Sequence, residues 1–127
     1  MGSERVIVES PAAGIRRIAE TKRSEISAEN VDQRNLDCAM NNNNYGLVAR
    51  LASNTQFQSI GTEANEFLAM NKRPDELARV AIYAIPVIAF EALEILVSEN
   101  RRDYVREVAN HTQHEEIREL ANTSLKR

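Results

Sequence analysis

Apolar residues recur at helical spacing in two short blocks, Val48, Ala52, Ile60, Ala64 and Leu68, and again Val105, Ala109, Ile117, Ala121 and Leu125. Steps of four residues put such side chains on one stripe of a helix, with one step of eight between two such stripes. In each block the stripe is interrupted once, after Ala52 and after Ala109, where a polar stretch intervenes. The pattern therefore predicts pairs of short helices joined by tight turns.

The two blocks are copies of one another. Leu47–Leu68 aligns with Tyr104–Leu125 without a gap at an offset of 57, and eight of the 22 positions are identical. Half of that offset exposes a unit in between. Arg50-Leu51-Ala52 returns as Arg79-Val80-Ala81 after 29 residues, and Glu63–Leu68 returns as Glu91–Leu96 after 28. A fainter first copy starts at Arg17-Ile18-Ala19, with its second helix running through Ile26 and Val31. The middle unit, Val80 to Val97, is the most apolar, as expected of an interior repeat covered on two sides. Ala52, Ala81 and Ala109 are then equivalent small residues where neighbouring helices come close.

Turn chemistry supplies the boundaries. Thr55-x-x-Gln58 and Thr112-x-x-Glu115 fit a capping box, in which the threonine oxygen caps a helix start. Ile85-Pro86 replaces it in the middle unit, since proline ends one helix and opens the next. Arg73-Pro74-Asp75-Glu76 marks another start, with acids at the positive end of the helix dipole, and Ser10-Pro11 a further one. Asn41 to Asn44 are poor helix formers and read as a loop.

Paired helices of this length resemble the short HEAT-like and armadillo-like α-solenoid repeats. Val105–Asn110, followed by Glu115-Glu116-Ile117 and Leu120-Ala121, is also similar to the helical variant leucine-rich repeat, whose usual turn proline appears here only at Pro86. The resemblance covers Tyr45 to Leu125 and implies an all-α fold, a right-handed stack of three to four helical hairpins. The alternative is an irregular helical bundle. In one domain, residues 1–10 form an N-terminal arm, 11–44 an atypical first unit with the asparagine-rich loop, and 45–127 three better repeats.

Composition narrows the function. The 127 residues are 43% hydrophobic and 28% charged, an ordinary globular balance, and three prolines with four glycines are too few for an all-β chain of this size. Sixteen basic against 19 acidic residues give a net charge of −3, which makes no global case for nucleic acid or anionic membranes. Ala81–Val97 is too short, and too interrupted by Pro86, Glu91 and Glu94, for a membrane span. The start carries no apolar stretch of signal-peptide length, and Val6 stands where a myristoylation pattern needs Ser or Thr. Cys38 is the only cysteine, so no internal disulfide forms, and it reads as a small buried residue. These features lead us to expect a cytoplasmic protein.

No phosphate loop, dinucleotide fingerprint, zinc-finger spacing or nucleophile elbow occurs, and no catalytic residue, metal or cofactor is expected. Arg17, Arg50 and Arg79 each precede an apolar–Ala pair, and Arg106 lies one position off the matching place. Stacked, they would form a ladder able to bind phosphate or acidic peptide, or would pair with carboxylates of neighbouring repeats. Glu63/Glu66 and Glu91/Glu94 share helix faces, but lack the Glu-x-x-His partner of di-metal sites and read as solvated acids or arginine partners. His111 and His114 lack a third firm metal ligand.

A repeat without reactive residues points to a protein-interaction module with a protein partner. Nucleic-acid binding through the arginine ladder is the alternative, against which the net charge stands. Ile117, Leu120, Ala121 and Leu125 near one end, and Val6-Ile7-Val8 near the other, lead us to expect a homodimer.

Overall fold

The computed structural model of the protein describes residues 28–126, and every regular element among them is a helix. The chain divides after Val31, and the architecture below is that of the unit Asp32–Arg127. Helix α1 (28–41) leads into α2 (Tyr45–Asn54), α3 (Gln58–Met70), α4 (Pro74–Tyr83), α5 (Pro86–Ser98), α6 (Arg102–His111) and α7 (Glu115–Leu125). The N-terminal arm, the Ser10-Pro11 start and the first-copy positions Arg17-Ile18-Ala19 and Ile26 lie outside the described residues. No described helix is long and apolar enough to cross a membrane.

Proline sets two of the helix starts. Pro74 and Pro86 open α4 and α5, where the missing N–H is one that the helix would leave unpaired anyway. Asp75 and Glu76 follow in the first turn of α4. Asn44 caps α2 by accepting from the Leu47 N–H, while the supposed asparagine loop is shorter than its composition suggests, because α1 continues to residue 41. Asn42 assists by donating back to the Cys38 carbonyl at 2.9 Å.

Three junctions close in the same way. After α1, α3 and α5 the chain turns through Asn43, Lys72 and Asn100, all left-handed with φ of 52°, 56° and 58°. The N–H of each returns to Met40, Ala69 or Val97, and the next N–H returns to Ala39, Leu68 or Leu96. This is a Schellman ending, which satisfies carbonyls that a helix end leaves open. Asparagine adopts the conformation at less cost than lysine, so Lys72→Gly should raise stability by about 1 kcal/mol, read from the urea midpoint. Above the Lys72 turn, the Arg73 guanidinium sits 4.1 Å from the Tyr45 ring centre, and Tyr45 in turn stacks on Phe67.

The other turns, within each hairpin, correct the capping-box expectation. Thr55 and Thr112 end α2 and α6 and do not begin the next helices, whose N-caps are Phe57 and His114. Gln58 and Glu115 are the first helical residues, too early to reach back to the cap. Each threonine instead folds its hydroxyl over the linker and accepts from the N–H two residues on, at 3.2 Å to Phe57 and 3.1 Å to His114. Both threonines are buried. Thr55 also donates to Asp32 at 2.7 Å, tying α1 to the turn.

Packing follows two rows. Helices α2, α4 and α6 contact one another in order, and so do α3, α5 and α7. Ala52, Ala81 and Ala109 are buried at matching positions of the first row. Ile60, Ile88 and Ile117, and then Ala64, Ala92 and Ala121, are buried at matching positions of the second. In the α6–α7 hairpin the register positions of the buried Ala78 and Leu93 carry exposed Arg106 and Asn122, which no helix among the described residues covers.

Candidate functional site

One face of the second row carries the polar side chains with the most specific geometry. On α3, Thr62, Glu63 and Glu66 follow helical spacing, and on α5 Glu91 and Glu94 do so. Between these helices lies an open groove of about 500 Å³ lined by Thr62, Asn65, Glu66, Glu91, Glu94, Ser98 and the apolar Ile95. The Thr62 hydroxyl donates to the Glu91 carboxylate at 2.8 Å, a bond from α3 to α5. Gln33 of α1 donates to Glu63 of α3 at 2.9 Å, the corresponding link two helices earlier in the chain. Thus Glu63 and Glu91 are half-buried and bound to the preceding helix, whereas Glu66 and Glu94 are exposed.

Asn65 forms the floor. It is 1% exposed, and its amide N–H donates to the Ile88 carbonyl at 3.3 Å. Its Oδ1 is buried without a hydrogen-bond partner among the described residues. Gly61, one turn before it, lets α3 approach α5 at Ile88, so closely that an added Cβ would stand 2.4 Å from the Ile88 Cδ1.

The next groove along, between α5 and α7, is apolar. Pro86, Val87, Phe90, Ile117 and Leu120 line about 440 Å³, and Val87 and Phe90 are 41% and 40% exposed. Of the terminal apolar residues, Ile117 and Ala121 are buried within the chain, and Leu120 and Leu125 are half-buried against the core.

The arginines sit elsewhere. Arg17 lies outside the described residues. Arg50 and Arg79 are exposed at matching positions of α2 and α4, but Glu107 occupies the third matching place on α6, with Arg106 one residue before it. Their ion pairs run within a helix, Arg79 to Glu76 at 3.9 Å and Arg106 to Asp103 at 3.6 Å, and do not join neighbouring hairpins. Such exposed pairs contribute little.

Cys38 is exposed, contrary to its expected burial, because Leu36 and Ala39 take the inward face of α1 and leave Cys38 outside. His114 bridges hairpins, its Nε2 lying 3.0 Å from the Ala84 carbonyl, a contact that requires the Nε2–H form. Among the described residues no group of three or more His, Cys, Asp or Glu side chains is placed to hold a metal ion.

Sequence reasoning flagged the four glutamates but passed over Asn65, Gly61 and Phe90. A signal for Asn65 existed: the residue after the repeated alanine is Asn65 in one unit and Leu93 in the next, a polar side chain at a core register. No family model matches the chain, nor does any curated protein or solved structure.

Proposed function

We propose that the chain is a non-catalytic protein-interaction module, a short stack of helical hairpins of the HEAT-like or armadillo-like kind. The observation that carries this reading is the pair of adjoining grooves on one face, one acidic between α3 and α5 and one apolar between α5 and α7. Successive helices of a stacked row leave such grooves side by side, and an extended partner can run across them. Arg50 and Arg79 lie on the other row, and Glu107 interrupts the ladder there, which weighs against nucleic acid.

The test is affinity capture from an extract of the source organism, with the wild-type chain compared to a Phe90→Glu/Glu94→Lys variant of unchanged helicity. The expected result is a protein retained by the wild type and lost by the variant. Equal retention by both, or no specific protein across a range of salt concentrations, would overturn the reading.

A further inference from the structure

The polar groups of the α3–α5 groove are chemically one-sided. Its hydroxyl donors are engaged, Thr62 to Glu91 and Ser98 to the Ile95 carbonyl, and one amide N–H of Asn65 donates to the Ile88 carbonyl. What remains is dominated by acceptors, namely the carboxylates of Glu66, Glu91 and Glu94 and the unpartnered Oδ1 of Asn65. Among the described residues no lysine or arginine lies within ion-pair distance of these three glutamates.

Asn65 makes this more than an acidic cluster. The Schellman junctions align it with Leu36 of α1 and Leu93 of α5, both fully buried. Leucine fits this register in the helices on either side, so the fold has no need of an amide here. A buried acceptor left without a partner is destabilising. An incoming donor would remove that cost.

We propose that this groove takes the lysine or arginine side chain of a basic peptide segment in a partner protein, and that an apolar residue of the same segment seats against Phe90 and Leu120 in the next groove. A cationic donor answers the carboxylates and the amide oxygen, its aliphatic stem can lie against Ile95, and guanidinium or ammonium supplies several N–H groups at once. Phe90 and Glu94 are four residues apart on α5, so the apolar and acidic subsites lie about 6 Å from each other along the helix axis. One short segment spans both. The inference rests on the interaction-module reading and names the partner's chemistry.

Panning a display library of short random peptides against the full chain tests it. Enriched peptides should carry Lys or Arg with an apolar residue nearby. The affinity of one of them, followed by fluorescence anisotropy, should fall roughly tenfold or more in Glu66→Gln/Glu94→Gln, two exposed positions whose substitution spares the core. Asn65→Leu should weaken binding as well while its urea midpoint does not fall, which a purely structural asparagine would not do. Enriched peptides without basic residues, or affinities unmoved by the Glu66/Glu94 variant, would overturn the proposal and leave the module reading standing. No enrichment would overturn the peptide site too, and the module reading then rests on the affinity capture alone.

Discussion

Leu96→Ala should destabilise the protein by about 2–5 kcal/mol, whereas Leu125→Ala at the matching position should cost clearly less. Leu96 is fully buried on α5, the helix that packs against α3, α4, α6 and α7. Removing its side chain leaves a cavity enclosed by elements that are themselves fixed by other neighbours, so collapse around it is restricted. Leu125 ends the last helix half-buried, and water can fill the space it vacates. The difference between the two substitutions measures how far an interior position depends on being covered from both sides. Because whole domains are stable by only about 5–15 kcal/mol, the Leu96 effect is a large fraction of the total. Urea denaturation followed by far-ultraviolet circular dichroism reads both midpoints. A Leu125→Ala cost equal to that of Leu96→Ala would contradict the asymmetry.

Much of the helix layout was legible because its period is carried by residues that have no alternative role. Ala52, Ala81 and Ala109 recur as buried small residues, and Ile60, Ile88 and Ile117 recur in the core. Even the discrepancy between the two sequence offsets has a physical cause. The first helices of the units α2–α3 and α4–α5 start 29 residues apart and their second helices 28, because the α4–α5 linker, Ala84-Ile85, is one residue shorter than Thr55–Phe57. Proline makes that shortening workable by opening α5 at once.

The turns were misread where a local motif was ambiguous. A threonine three residues before Gln or Glu fits a capping box, yet it fits equally a threonine that ends one helix and bridges the linker with its hydroxyl. Only the length of α2 and α6 decides between them, and periodicity fixes helix ends poorly. The site was legible in part. Glutamates three apart announced a shared face, but the groove arises from the spacing between α3 and α5, which no single helix encodes. Asn65 gains its meaning from Leu36 and Leu93, its register neighbours on two other helices.

That spacing is set by Gly61, and its replacement should reverse in sign according to what stands opposite. In the wild type, Gly61→Ala should destabilise by about 1–2 kcal/mol even though alanine is the better helix former by about 1 kcal/mol. The new methyl would meet Ile88 at three atoms, 2.4 Å from Cδ1, 2.5 Å from Cγ1 and 2.6 Å from Cγ2. Two of those atoms branch from the same Cβ, so no single rotamer of isoleucine clears them both. Ile88 is fully buried and cannot swing outward, so α3 and α5 must move apart. That movement would also stretch the 3.3 Å bond from Asn65 to the Ile88 carbonyl, at the floor of the acidic groove. Ile88→Ala alone should cost about 2–5 kcal/mol through its cavity. With the isoleucine gone the obstacle is gone as well, and Gly61→Ala in the Ile88→Ala background should stabilise by up to about 1 kcal/mol through helix propensity alone. A double-mutant cycle of urea midpoints therefore yields a coupling of about 2–3 kcal/mol between the two positions, within the range of residues in direct contact. Additive effects would mean that Gly61 does not face Ile88, and the α3–α5 approach described here would be wrong.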